Sequence, residues 1–337
     1  MADVFAVSLH AFAEDNTHRI SRTNHSGPTE LGAGTSGLLS LLTVIGTSLS
    51  IVGVVLTFIT YSLFSDLRTL SGNSLLNLLA ALFLSHLLSV IGVERSQDHN
   101  LCLTMAFLLH YLWLAVHFWV TSMAWDMYRT FRDNINLKPS TLNESQKSLL
   151  RCALFSWGVP LVFVGLSAVL HFKTHLDDLP IVKDTCWIVG PGSLIYAFAI
   201  PAGLLCIFDI MYFCKTAIVI HQTVGLQMNR KTKNKMRKRR YLQLCLYSKL
   251  VILLVATWFS CVMAQLTNQI SLWYVFTLLI SLQGFFVALS YSCNSRVFRL
   301  YGKNFRSGKS SSGYGTSELS QSTSLTLLTW QPSPDSV

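Results

Sequence analysis

The sequence has 337 residues, of which 51% are apolar and only 12% charged, and a formal net charge of +10. A water-soluble domain carries about a quarter charged residues, so this composition excludes an ordinary soluble globule. A basic balance points to nucleic acid in a soluble protein, but here the basic residues fall between long apolar runs, and the partner they imply is a membrane surface.

A hydrocarbon core about 30 Å thick takes roughly 20 apolar residues per helix. Seven stretches meet that length in chain order: Gly37 to Phe64, Asn73 to Val93, Leu101 to Phe131, Ser148 to His171, Ser193 to His221, Leu242 to Leu266 and Leu272 to Ser292. Backbone groups in lipid must pair within their own segment, so the runs are predicted to be helices. The third is long enough to tilt. The fold class expected is therefore an all-α membrane protein, a bundle of seven transmembrane helices. Before it, Met1 to Ala13 lacks a basic leader region, and the first span is expected to act as the targeting signal.

The connections Ser65 to Gly72, Glu94 to Asn100 and Thr267 to Ser271 are short, whereas Arg132 to Lys147, Phe172 to Gly192 and Gln222 to Tyr241 are longer loops. Residues 1–36 read as an extracellular segment and 37–295 as the bundle. Residues 296–306 read as a short amphipathic helix, with Val297, Phe298, Leu300 and Tyr301 toward lipid. Residues 307–337 read as a disordered cytoplasmic tail rich in Ser and Thr.

Orientation follows from the basic residues. Arg68, Arg129, Arg132, Lys138, Lys147, the run Arg230 to Arg240 and the tail share one side, against Arg19, Arg22, Arg95, Lys173 and Lys183 on the other. The positive-inside rule then places the N-terminus outside and the tail in the cytoplasm of a plasma-membrane protein. Asn24, in Asn24-His-Ser, becomes an extracellular glycosylation acceptor, while Asn143 falls in a cytoplasmic loop.

Of the eight cysteines, Cys102 and Cys186 alone are clearly placed on the oxidising side, and a disulfide between them is expected to tie the second outer loop to the third helix. The outer halves of the helices gather aromatic and polar residues. A candidate ligand pocket is formed by His110, Leu114, Phe118, Trp187, Trp258, Gln283 and Phe285. Two readings stand side by side: a pocket open to the outside, or interhelical packing with the polar groups as glue. His110 and His117 share a face seven residues apart, but no third ligand accompanies them, and no metal or cofactor is expected.

Toward the inner end, Asp126 and Arg129 are placed to pair on one helix face, and Lys249 and Asp209 lie at similar depth. The run containing Arg237 and Arg240 reads as an anchor to anionic lipid, a docking surface for a cytoplasmic partner, or both. Serines and threonines of the tail are candidate phosphorylation sites, and phosphates there would suit a basic partner such as arrestin. No phosphate loop, carboxylate pair or nucleophile motif marks an enzyme.

Particular motifs resemble the secretin and adhesion class of G-protein-coupled receptors. These are S-L-S-I-V-G-V-V-L-T-F-I-T-Y (Ser48 to Tyr61) with D-L-R-T (Asp66 to Thr69), N-L-L-A-A-L-F-L-S-H-L-L (Asn77 to Leu88) and L-L-H-Y-L-W-L (Leu108 to Leu114). Trp157, Gly158, Pro160, the C-W-I of Cys186 to Ile188, Phe198, Pro201 and the Thr257-Trp258 pair add to it, as does S-L-Q-G-F-F (Ser281 to Phe286). The end of the third helix, M-A-W-D-M-Y-R-T-F (Met123 to Phe131), is similar to the Methuselah-type branch.

The resemblance spans residues 37 to 305 and implies a receptor that passes an extracellular signal to a heterotrimeric G protein. Trp258 and Gln283 would then contact the agonist or the switch, with Arg129, Lys249 and the Arg230 to Arg240 run near the G protein. Phe5 to Leu9 (F-A-V-S-L) resembles the start of a tethered peptide agonist. Two departures, Leu75 where the class has His and Val255 where it has Gly, imply a rewired inner polar lock with Asp126 as a substitute member. The competing functions are a transporter or channel and a non-signalling adhesion or decoy protein. No internal repeat or broken helix pair, of the kind transporters often show, is read in the sequence. A retinal Schiff base is excluded by the absence of Lys from the seventh span.

Overall fold

The computed structural model describes residues 31–94, 99–135, 142–173, 181–182, 187–188, 198, 200–226, 230–267, 269–294 and 297–302. The helices are α1 (Leu31–Leu63), α2 (Leu70–Glu94), α3 (His99–Ile135), α4 (Leu142–Lys173), α5 (Ile200–Leu226), α6 (Arg230–Thr267), α7 (Ile270–Ser281) and α8 (Gln283–Ser292). Two short antiparallel strands, β1 (Ile181–Val182) and β2 (Trp187–Ile188), lie between α4 and α5. The chain divides into two units, residues 1–294 and 295–337. In the second, residues 297–302 are helical, within the stretch expected to form an amphipathic helix.

Six helices are individually long and apolar enough to span a bilayer, and α7 with α8 supplies the seventh span, bent by 47°. The protein is thus a seven-transmembrane helix bundle. Neighbours pack in the order α1–α2, α2–α3, α3–α4, α3–α5, α5–α6 and α6–α7, and α1 closes the ring against α7 and α8. The third span is the most enclosed, with 61% of its apolar window buried against 17% for the fourth. It therefore stands in the middle of the bundle. On α4 the side chains of Leu154, Leu161 and Val162 remain exposed, forming a face suited to lipid.

Three boundaries differ from the sequence reading. The stretch Gln222 to Tyr241, read as a loop, is helical from Arg230 onward, so α6 carries its basic run as a continuous extension beyond the apolar span Tyr241–Ala264. Lys and Arg are good helix formers, and only the local charge made this stretch read as a loop. The stretch Phe172 to Gly192, read as a loop, contains the β1–β2 ladder, too short to leave a period-two pattern. The seventh span, read as one helix, breaks at Leu282. At that point the Ser50 hydroxyl of α1 enters the backbone ladder, donating to the Ser281 carbonyl and accepting from the Phe285 amide. A side chain inserted into the ladder is a recognised cause of a sharp kink.

Small residues make this approach possible. A Cβ on Gly284 would lie 2.8 Å from Val54 Cγ2 and 3.0 Å from Ser50 Cβ, and one on Gly53 would lie 2.9 Å from Ala288 Cβ. Lower on the same interface Thr57 and Ser292 exchange a hydroxyl hydrogen bond at 2.9 Å. Close packing of small residues with hydroxyl glue is how membrane helices associate without a hydrophobic driving force.

Candidate functional site

The bundle brings two aromatic rings, Phe198 and Trp258, together with two histidines, His110 and His117, in its interior. His117 of α3 is fully buried. Its Nδ1 lies 2.7 Å from the Trp113 carbonyl, one turn earlier, and its Nε2 lies 2.5 Å from Trp258 Nε1 of α6. An indole N–H only donates, so Nε2 accepts. Nδ1 therefore carries the proton and donates to the carbonyl. One imidazole thus ties α3 to α6 while its tautomer is fixed by α3's own backbone.

Phe198, immediately before α5, is the hub of this group. Its ring centroid is 4.7 Å from Trp258, 5.9 Å from His117 and 5.7 Å from His110. Helices α3, α5 and α6 therefore meet at one aromatic contact. Pro201, in the first turn of α5, begins the helix where its missing N–H leaves nothing unsatisfied.

The expected pocket residues divide accordingly. His110 and Trp258 belong to the cluster, and Leu114 is fully buried on α3. Phe118 turns the other way, packing on Phe155 and Phe163 of α4 at 5.2 and 6.3 Å. Gln283 is buried at the first residue after the helix break, with Phe285 half-buried beside Phe286. Trp187 stands in β2, which lies against α3. His117 and Phe198 were not among the expected pocket residues. The Leu108 to Leu114 motif and the Phe198–Pro201 match lay close to both, but sequence alone does not register α5 against α3.

Other polar groups hold helices together. Tyr111 donates to the Trp157 carbonyl at 3.1 Å, Trp157 Nε1 donates to Asn77 Oδ1 at 3.4 Å, and Ser122 meets Ser156 at 2.6 Å. Interhelical packing accounts for these, as one of the two readings anticipated.

Toward the end of the bundle where α3 and α6 carry their basic residues, Asp126 is buried beside Arg129 and beside Ser148 of α4. Trp125 and Tyr128 pack on Tyr212 of α5, and the Arg132 guanidinium lies 5.7 Å above the Tyr128 ring. Asp209 of α5 is fully buried, 3.5 Å from the Tyr247 hydroxyl of α6 and next to Thr121 of α3. Leu75, where the class has His, is buried on α2. Lys249 is exposed on α6, and Arg237 and Arg240 lie on its helical extension.

Cys102 is disulfide-bonded. Cys152, Cys206, Cys214, Cys245, Cys261 and Cys293 are free thiols. Cys186 and Asn24 lie outside the described residues, as do Phe5 to Leu9 and the tail. Among the described residues no three His, Cys, Asp or Glu side chains gather as a metal site.

A seven-helix membrane bundle whose third, fifth and sixth helices meet at a buried aromatic junction has the architecture of a transmembrane receptor. Residues 36–287 match the family model of the seven-transmembrane receptors of the secretin family, and the chain belongs to that family. It is 27% identical over 271 residues to mouse cadherin EGF LAG seven-pass G-type receptor 1, covering 80% of this chain and 8% of that protein. It is 28% identical over 267 residues to human adhesion G protein-coupled receptor E2, covering 79% of this chain and 31% of the relative. Latrophilin receptor-like protein A of Dictyostelium discoideum is 26% identical over 276 residues, covering 80% of this chain and 83% of that protein. The chain thus spans only a minor part of the first two relatives. It is a multi-pass membrane receptor of the adhesion and secretin class.

Proposed function

We propose that this chain receives an extracellular signal, from a diffusible or tethered peptide, and passes it to a heterotrimeric G protein. The observation that carries this reading is the Trp258–His117 hydrogen bond across α3 and α6, covered by Phe198 at the head of α5. An agonist that binds more tightly when these three helices rearrange shifts the population toward that arrangement, by no more than its differential affinity. The inner ends of α3, α5 and α6 then separate to admit the G protein, with Asp126, Arg129, Arg237 and Arg240 at the coupling end.

The N-terminus faces outward at the plasma membrane, Asn24 carries glycan, and a phosphorylated tail recruits arrestin. The bond of Cys102 goes to Cys186, the residue before β2 in the sequence, and the position of β2 against α3 supports this.

The test is basal G-protein activation across a panel of subtypes in cells, at matched surface expression. The full chain is compared with a chain starting at Gly37, and each with its Trp258→Ala variant. Activity lost with the truncation assigns an agonist to the first segment. Activity present in both chains and lost with Trp258→Ala supports the junction as the switch. Silence in every subtype, with added candidate peptides, would remove the signalling reading in favour of a decoy or adhesion role.

A further inference from the structure

A cavity of about 470 Å³ lies between α6 and the bent seventh span, apart from the aromatic junction. Its wall on α6 includes Lys249, Leu253 and Ala256, and on the seventh span Leu279, Phe286 and Ser290. It reaches the bundle's outer surface, since Ile252 and Leu289 on its rim are 66% and 43% exposed. The volume falls within the range of about 300–1,000 Å³ typical of small-molecule sites. The lining is apolar except at Lys249 and the hydroxyls of Ser290 and Tyr291, and among the described residues no acidic side chain lines it.

Lys249 is the unusual member. It lies eight residues inside the apolar span that begins at Tyr241, roughly 12 Å along the axis at 1.5 Å per residue. Among the described residues no ion pair or hydrogen bond is made by its ammonium. A lysine at such depth is costly unless it reaches the interface along its own stem or meets a counter-charge. The same helix continues from that end into the basic run Arg230 to Arg240, which marks that end as the one nearer the headgroups.

We infer that the groove between α6 and the seventh span binds an anionic glycerophospholipid, its phosphate on Lys249 and one acyl chain along Leu253, Ala256 and Phe286. A phosphate supplies the counter-charge that the described protein residues do not, through a charge-assisted hydrogen bond, and a hydrocarbon chain matches the remaining wall. The cavity is bounded by residues on both sides of the break at Leu282, Leu279 before it and Phe286 after it. Straightening that span would reshape the site, so the lipid favours the bent form. Lys249 thereby gains a task separate from contact with a G protein, and the inference stands whether or not the chain signals.

The experiment places the full chain in phosphatidylcholine nanodiscs containing a trace of phosphatidylserine with a photoreactive acyl chain, and maps the labelled peptides by mass spectrometry. The expected result is labelling around Leu253 to Ala256 and at Phe286. Unlabelled phosphatidylserine should compete roughly fivefold better than added phosphatidylcholine, the preference one basic side chain confers. Lys249→Gln should abolish that preference, Lys249→Arg should keep it, and Ala256→Phe should reduce labelling of the groove while labelling elsewhere on the chain persists. Equal competition by the two lipids would overturn the inference in favour of ordinary annular lipid. Stronger competition by cholesterol than by phosphatidylserine would overturn it in favour of a sterol site, and a preference that survives Lys249→Gln would also overturn it.

Discussion

The Ser50 hydroxyl stands between the Ser281 carbonyl and the Phe285 amide, 2.6 Å from the first and 3.1 Å from the second. In an unbroken helix these two backbone groups bond to each other. The nearest closed rungs before and after the break are Leu282 to Leu278 and Phe286 to Leu282, at 3.1 and 3.0 Å. A serine on α1 thus takes up the two backbone groups of the open Ser281–Phe285 rung, and the span bends there. Ser50→Ala removes both bonds from a buried interface. The variant should lose roughly 1–2 kcal/mol of stability, the scale of interhelical hydrogen bonds in membranes, read as a lower melting temperature of the purified receptor. An unchanged melting temperature would mean that the bend is held by packing alone.

Packing at the same place makes a separate prediction. A methyl group on Gly284 meets Val54, Ser50 Cβ and, at 3.1 Å, the Ser50 carbonyl, and the last of these is backbone that cannot rotate away. Gly284→Ala should cost about 1–3 kcal/mol, as overpacking does, and Gly284→Val should prevent surface expression. Gly165→Ala and Gly203→Ala are the controls, since nothing lies within 4 Å of either new methyl. If all four variants reach the surface equally, α1 and the seventh span are not interlocked as described.

Much of this architecture is readable in the sequence because the bilayer imposes one strong rule: about 20 apolar residues, then charge. All seven spans follow from that, whereas the central place of the third helix is seen only in the packed bundle. The break at Leu282 does not follow either. Ser281-Leu282-Gln283-Gly284 contains no proline, and its cause lies more than two hundred residues away at Ser50. Phe198 escaped as a hub for a similar reason. Aromatic composition identifies candidates on each helix, but the rotation of α5 against α3 decides which rings meet, as Phe118 facing α4 illustrates. The helical extension of α6 was hidden because positive charge reads as a loop when the neighbouring apolar run is used to set the boundary.

The junction of His117 and Trp258 lends itself to a double-mutant cycle. Trp258→Phe keeps a ring against Phe198 but removes the Nε1 donor to His117 Nε2. His117→Phe keeps bulk and removes the acceptor. Each single variant leaves one buried polar atom unpaired, while the double variant leaves neither. The double variant should therefore be more stable than the sum of the single losses predicts, by about 0.5–2 kcal/mol. If the junction is the switch, Trp258→Phe should also shift basal or agonist-driven G-protein activation severalfold at equal surface expression. Additive stabilities would show that the two side chains do not act as a pair.

Asp209 and Tyr247 give the last prediction, on α5 and α6. The carboxylate is fully buried, Tyr247 is 3% exposed, and the phenol donates to Oδ1 at 3.5 Å. Thr121 of α3 stands beside the same carboxylate. Asn keeps an acceptor for the phenol, so Asp209→Asn should reach the cell surface at close to the normal level. Asp209→Leu leaves the Tyr247 hydroxyl buried without its acceptor and should cost about 1–3 kcal/mol. Replacing both partners by apolar groups relieves that penalty, so Asp209→Leu with Tyr247→Phe should melt at a higher temperature than Asp209→Leu alone. A double variant that melts lower still would show that Asp209 is held by Thr121 and the surrounding helices rather than by the phenol, and that α5 and α6 are not joined here.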